Sequence, residues 1–347
     1  MTLNPELQIL TLQHNKISQI GSASFQFHPE LLQVDLSHNG LETVQVLGLN
    51  IEEVEVFLSF DRSLESACKD KELRENSNKI KLPLRAKYMY VGKTFFCSLQ
   101  ESTWVHNIRL ASLVLSHNRL TSVPDLLGLE SLQTLDLSHN MLTSVTGYEC
   151  EAAPRLASLH LHHNNISEVT GLHTLDSVVS IDLAHNRLEA VPSLPSSLQR
   201  LDLSYNLIME VSFPRGQSQL QHLDLSHNPL NSLEVEAFSG LSHLRSLHLA
   251  FTHLTSVPSP ALSSLTSLRS LDLNGLLVTS LGQSDLALPS LASLSLTHCS
   301  KLEKIEAGAF GNFHSLHTLN LSHNPGEHPT HHSSIKGLVC RSQHVCS

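Results

Sequence analysis

The sequence predicts an α/β-type repeat solenoid: a right-handed curved array with a parallel β-sheet on its concave face and an irregular or 3-10 convex side. Three observations lead there. Leu supplies about one residue in five while Trp occurs once, a bias that ordinary globular cores would not show. The pattern Leu-x-x-Leu-x-Leu-x-x-Asn-x-Leu recurs with its Asn at Asn15, Asn39, Asn118, Asn140, Asn164, Asn186, Asn206 and Asn228. Consecutive copies lie 20 to 24 residues apart, the period of a stacked supersecondary unit that cannot bury its apolar face alone.

Four further copies carry Thr252, Leu276, Cys299 and Asn324 in the Asn slot, so at least twelve units can be counted. This is a leucine-rich repeat array. Each fixed position has a physical reason. Leu-x-Leu, as in Leu135 with Leu137 or Leu223 with Leu225, is a short strand whose alternate side chains point inward. The buried Asn amide is expected to satisfy backbone groups of its own and the neighbouring loop where the chain leaves the strand. Thr or Cys replaces it in part, and Leu276 cannot. Between strands, Pro124, Pro192 and Pro258 block regular helix. The copies with Phe25, Phe238 and Phe310 fit the extracellular class of these repeats better than the longer ribonuclease-inhibitor class.

The predicted organisation is repeats over 1–58, a non-repeating insertion over 59–107, repeats over 108–326 and a tail over 327–347. The insertion holds most of the lysines, between Lys69 and Lys93, and the only Trp. Two readings fit it. One is a basic loop on the solenoid rim that meets an acidic partner. The other is sequence foreign to the array, such as a retained intron or a faulty gene model, which the abrupt break at Leu58 favours. The first repeat starts almost at residue 1, with Leu7, Leu10 and Leu12 left uncapped, so sequence upstream is expected. Disorder is expected in the tail. Of the six cysteines, Cys340 and Cys346 are near enough in sequence to suggest a disulfide.

Composition narrows function. Against 32 acidic residues there are 22 basic ones, a formal net charge of −10, which argues against nucleic acid as a partner. No apolar run is long enough to span a bilayer, and MTLNPELQIL lacks the form of a secretory signal. No G-x-S-x-G, H-E-x-x-H, C-x-x-C, phosphate-cradling loop or dinucleotide fingerprint is present, so neither enzyme activity nor a cofactor is expected.

Two columns stand out. The middle outward position of each strand carries Asp35, Asp136, His160, Asp182, Asp202, Asp224, His248 and Asp272. Stacked carboxylates disfavour one another and should welcome a basic partner. His160 and His248, set between acids, should gain proton affinity. A metal site is the sharper alternative there, but Leu-Asp-Leu-Ser is also the ordinary consensus of this repeat, and a protein ligand is the favoured occupant. The second column puts His before the Asn at His14, His38, His117, His139, His163, His185, His227, His298 and His323. It is expected to pack on neighbouring turns and to weaken the array in acid. His328, His331 and His332 belong to the tail. Two glycosylation sequons begin at Asn165 and Asn320, the first on an outward loop.

At the level of the repeats, NRLEAVPSLPSSLQRLDLSYN, AFSGLSHLRSLHLAFTHL and LASLSLTHCSKLEKIEAGAFGNFHSLHTLNLSHNP resemble the Tsukushi-related small leucine-rich proteoglycans over residues 108–326. The resemblance implies a secreted, extracellular, non-enzymatic modulator that binds growth factors, receptors or matrix proteins, including bone morphogenetic protein, transforming growth factor or Wnt components. The alternatives are a cell-surface adhesion protein or Toll-like receptor ectodomain fragment, which would have an anchor, and an intracellular scaffold with reduced cysteines.

Overall fold

A computed structural model describes residues 6–17, 33–36, 39, 110–213, 219–282, 288–306 and 308–325. It adds the backbone strands at 54–58, 86–91, 340–341 and 345–346. The chain forms two compact units, Met1–Val178 and Val179–Ser347.

In the first unit the strands are β1 (Ile9–Thr11), β2 (Gln33–Leu36), β3 (Val54–Leu58), β4 (Ala86–Val91), β5 (Ser112–Val114), β6 (Thr134–Asp136), β7 (Ser144–Thr146), β8 (Ser158–His160) and β9 (Glu168–Thr170). Parallel pairs join β1 to β2, β3, β4, β5, β6 and β8 in turn. β7 and β9 form a second, two-stranded parallel sheet. A one-turn helix, α1 (Gly147–Cys150), follows β7, and a 3-10 turn (Leu172–Thr174) follows β9. A Cβ on Gly147 would collide with the Gly171 carbonyl, so glycine sets how closely these two turns approach.

β4 lies within the 59–107 segment expected to interrupt the array, yet its backbone pairs in parallel between β3 and β5. Its sequence AKYMYV alternates aromatic and other residues without the Leu signature, so the repeat period does not reveal it. The rest of that segment, and the 327–347 tail apart from two short strands, lies outside the described residues.

The second unit contains β10 (Ser180–Asp182), β11 (Arg200–Asp202), β12 (His222–Asp224), β13 (Ser246–His248), β14 (Ser270–Asp272), β15 (Ser280–Leu281), β16 (Ser293–Ser295), β17 (Lys304–Ile305) and β18 (Thr318–Asn320). β10 to β14, then β16 and β18, pair in parallel, with Ile181, Leu201, Leu223, Leu247, Leu271, Leu294 and Leu319 in register. β15 and β17 form a small second sheet. A one-turn helix, α2 (Ser259–Leu262), has Pro260 in its first turn, where a missing N–H costs nothing. Two tail strands, β19 (Cys340–Arg341) and β20 (Val345–Cys346), pair antiparallel, with β20 also against β18.

Within each unit the core is a column of inward Leu side chains. Leu113, Leu135 and Leu159 in the first unit and Leu201, Leu223, Leu247, Leu271 and Leu294 in the second are almost fully buried. Full burial of each contributes about 1.5–3 kcal/mol, and only the stacking of neighbours provides it.

The Asn slot joins one repeat to the next. The Asn206 Nδ2 donates to the Leu203 carbonyl of its own repeat at 3.0 Å and to the Leu183 carbonyl of the preceding one at 2.9 Å, while its Oδ1 accepts the Leu188 N–H at 3.0 Å. Asn140, Asn164 and Asn228 repeat this three-way bridge. Asn324 makes the same bridge, with the Cys299 N–H as donor. At Thr252 the hydroxyl reaches only the Leu249 carbonyl of its own repeat. The Cys299 thiol makes long contacts of 3.7 Å to the Leu273 and Thr297 carbonyls.

Replacing Asn206 with Leu is therefore expected to leave the Leu188 N–H without its partner, at about 1–3 kcal/mol for the buried unpaired group, while the Leu183 and Leu203 carbonyls keep the bonds from Asn186 and Asn228. Urea unfolding of the variant against wild type measures this, and a midpoint equal to wild type would refute it.

Candidate functional site

The turn after each strand delivers the Asn inward through a residue in the left-handed region. His117, His139 and His163 in the first unit, and His185, Tyr205, His227, Phe251, His298 and His323 in the second, have φ between 53° and 60°. His is among the residues that tolerate this region, whereas Tyr and Phe do so less readily. Stacking offsets the cost. His117 lies on His139 at 4.2 Å between ring centroids and His139 on His163 at 4.3 Å. In the second unit His185, Tyr205, His227 and Phe251 stack at 4.0, 3.9 and 4.7 Å, and aromatic pairs of this kind contribute about 0.5–1.5 kcal/mol each. The sequence pattern reveals the His members but not Tyr205 and Phe251, whose only signal is their position before the Asn slot.

Gly275 occupies the same slot at φ +71°, and a Cβ there would lie 2.5 Å from the Phe251 ring. The Phe251 ring thus covers the place where the ladder has no side chain, and it approaches His298 at a tilted 6.4 Å. The signal in the sequence is Gly275 itself, one residue before the aberrant Leu276.

The acidic column is built by strand register. In the first unit Asp136 on β6 pairs with His160 on β8. In the second, Asp182, Asp202, Asp224, His248 and Asp272 occupy one row across five adjacent strands, continued by Ser295 and Asn320. By sequence these carboxylates are free surface charge. In the structure each also closes a turn, since Oδ1 of Asp136, Asp182, Asp202, Asp224 and Asp272 accepts the backbone N–H two residues on, at 2.8–3.0 Å. This is the local bond that makes Asp a turn residue. Asn320 does the same toward Ser322.

Burial raises the Asp202 carboxyl above the ordinary value, opposed by its bonds to Ser204 and reinforced by the charges of Asp224 and Asp182. His248 is raised first by the Asp272 carboxylate, whose Oδ2 lies 3.7 Å from Nδ1 as an ion pair, against desolvation and with help from the charges of Asp224 and Asp202. Its Nε2 contacts the Ser246 hydroxyl at 3.0 Å. His160 contacts Ser158 in the same way at 3.1 Å. His139 is lowered, by desolvation first and then by His117, His163 and His162, against Asp136.

The remaining candidates are scattered. Asn165 is exposed in the turn after Asn164, with its N–H donated to the Leu142 carbonyl. Asn320 is half-buried at the end of β18, its Oδ1 bonded to the Ser322 hydroxyl and N–H. The backbones of Cys340 and Cys346 stand opposite each other between β19 and β20, and their side chains lie outside the described residues. Cys150 faces a cleft of about 280 Å³ in the first unit. Burial pushes its thiol up to about 12, so it is protonated and a poor nucleophile at neutral pH.

These shifts predict two opposite titrations. His248 should titrate above the ordinary 6.5, so its contribution to stability is full below pH 6.5 and is lost as pH rises through the raised value. His139 should titrate below 6.5, so its contribution is present above pH 6.5 and is lost as pH falls toward the lowered value. Imidazole chemical shifts followed against pH distinguish them. Coincident midpoints would contradict at least one of the two assignments. A second expectation concerns Gly275→Ala, which should destabilise by about 1–2 kcal/mol from the left-handed backbone, plus the cost of displacing the Phe251 ring. Thermal unfolding of Gly275→Ala, alone and combined with Phe251→Ala, separates the two costs.

Compared with known proteins, the chain matches the leucine rich repeat family model over residues 87–142, 108–166 and 218–275. No curated protein sequence matches it. Among solved structures it is similar to a Leptospira interrogans LRR protein, at 20% identity and TM-score 0.58, covering 93% of this chain and 92% of that one. It is similar to YopM from Yersinia enterocolitica, at 20% identity and TM-score 0.61, covering 93% and 71%. Drosophila Toll, solved in its complex with Spatzle, aligns at 18% identity and TM-score 0.65 over 87% of this chain and 45% of Toll. Identities this low speak to the fold alone. With its repeats matched to the family model over three stretches and its strands stacked as in these structures, the chain has the leucine-rich repeat fold.

Proposed function

We propose that the chain is a non-enzymatic protein-binding module whose ligand surface is the open face of the sheet in the second unit, and that it acts outside the cell as a modulator of growth-factor or receptor signalling. One observation carries the first half. Five adjacent strands present Asp182, Asp202, Asp224, His248 and Asp272 in one row, and among the described residues no cation is paired with Asp202 or Asp224. Such a row favours a basic partner through complementarity of charge. Asp136 and His160 form a shorter stretch of the same pattern in the first unit.

The second half rests on the likeness of residues 108–326 to small leucine-rich proteoglycans, and on the exposed sequon at Asn165. The opposed backbones of Cys340 and Cys346 fit a disulfide formed in an oxidising compartment. Leucine-rich repeats serve as protein-interaction folds, and Drosophila Toll, of which this chain spans under half, was solved bound to Spatzle. Among the described residues no helix is long and apolar enough to cross a membrane.

Substitution of Asp by Asn keeps the oxygen that accepts the turn N–H and removes the charge. Asp202→Asn with Asp224→Asn is expected to lower affinity for a basic growth-factor ligand by about tenfold or more, roughly 1.4 kcal/mol, with an unchanged unfolding midpoint. Surface plasmon resonance against a panel of purified growth factors reads this out, and equal affinity of variant and wild type would remove the row from the binding surface. Expression through the secretory pathway should add a glycan, released by an N-glycosidase, that Asn165→Gln eliminates. A secreted chain of identical mass before and after the glycosidase would count against Asn165 as the acceptor.

A further inference from the structure

The acidic row has a basic counterpart on the same unit. Arg200 and His222 are direct partners across β11 and β12, two residues before Asp202 and Asp224. Alternate strand residues share a face about 6.6 Å apart, so these side chains lie on the open face beside the acids. Arg245 and Arg269 stand just before β13 and β14, exposed, with the Arg269 N–H donated to the Arg245 carbonyl at 2.9 Å. Arg200, Arg245 and Arg269 make no ion pair among the described residues. After burial, Arg200 and Arg245 are the chief charges that depress His222, with a smaller effect from His248, which places this edge near the row. The surface is therefore dipolar, with unpaired cations at the leading edges of β11, β13 and β14 and carboxylates along the middle.

We infer that this face takes an extended polypeptide segment with alternating acidic and basic side chains, its acids toward Arg200, Arg245 and Arg269 and its bases toward Asp202, Asp224 and Asp272. An extended chain sends successive side chains to opposite sides, so a segment running along the array between the two rows meets each with its own sign. From Asp182 to Asp272 the row crosses four strand spacings of about 4.8 Å, roughly 19 Å in all, which about six extended residues span at about 3.3 Å each. A purely basic segment would satisfy the carboxylates and repel the arginines. The inference depends on the protein-binding reading above and adds to it the charge pattern of the partner.

Three labelled octapeptides of capped ends test it by fluorescence anisotropy at low salt: alternating Glu-Lys, a block of four Glu followed by four Lys, and eight Lys. The alternating peptide should bind the full chain at least about fivefold more tightly than the block peptide of identical composition. Arg245→Glu with Arg269→Glu should abolish that preference and strengthen binding of the Lys octapeptide. Asp202→Asn with Asp224→Asn should weaken both the alternating and the Lys peptides. If block and alternating peptides bind equally, or the Arg variant retains the preference, the dipolar surface is overturned. The acidic-row reading would then still stand if the Lys octapeptide binds wild type and loses affinity in the Asn variant. Binding of none of the three peptides overturns both.

Discussion

The buried Asn amide is the interaction on which the rest depends. A single repeat has a strand too short to pair with itself and a Leu face too small to shield itself, so its backbone must find partners in its neighbours. Asn140, Asn164, Asn206, Asn228 and Asn324 each bond three backbone groups across two repeats. An amide can do this because it carries donor and acceptor on one planar group. Threonine at 252 lacks the reach and cysteine at 299 lacks the strength. The strands then follow, since an Asn that bridges two turns holds their Leu-x-Leu segments in register.

From that register come both surface features. The strand's outward residues align into rows, giving the acidic row and its basic edge. The turn that brings Asn inside forces its predecessor into the left-handed region, and the side chains there can only lie over one another. Stacked rings recover by contact part of what the backbone loses by strain, which is why the slot holds flat side chains rather than branched ones.

Much of this is legible in the sequence. A period of 20 to 24 residues and the spacing of Leu and Asn are constraints that every copy must meet, so they stand out against varied positions. The alignment of Asp202 beside Asp224 follows from them. What is not legible depends on contacts between repeats or on a bond hidden in a consensus. The Asp carboxylates read as surface charge because nothing in Leu-Asp-Leu-Ser reveals that Oδ1 closes a turn. Tyr205 and Phe251 interrupt a His pattern and so escape it, although their backbone does the same thing. β4 escapes the pattern because Met89, in register with Leu113, stands where Leu is expected, and a strand in a stack is specified partly by the strands on either side.

Phe251 and Gly275 belong to different repeats, yet the ring of one occupies the space left by the missing Cβ of the other. The two positions form a key and its lock, and they fix the order of the units around them. A repeat array is often pictured as a string of interchangeable beads that can be duplicated, deleted or shuffled by recombination. Here that freedom ends. Any rearrangement that separates these neighbours would set the ring against a side chain, or leave the glycine uncovered, so the two repeats pack properly only as a block.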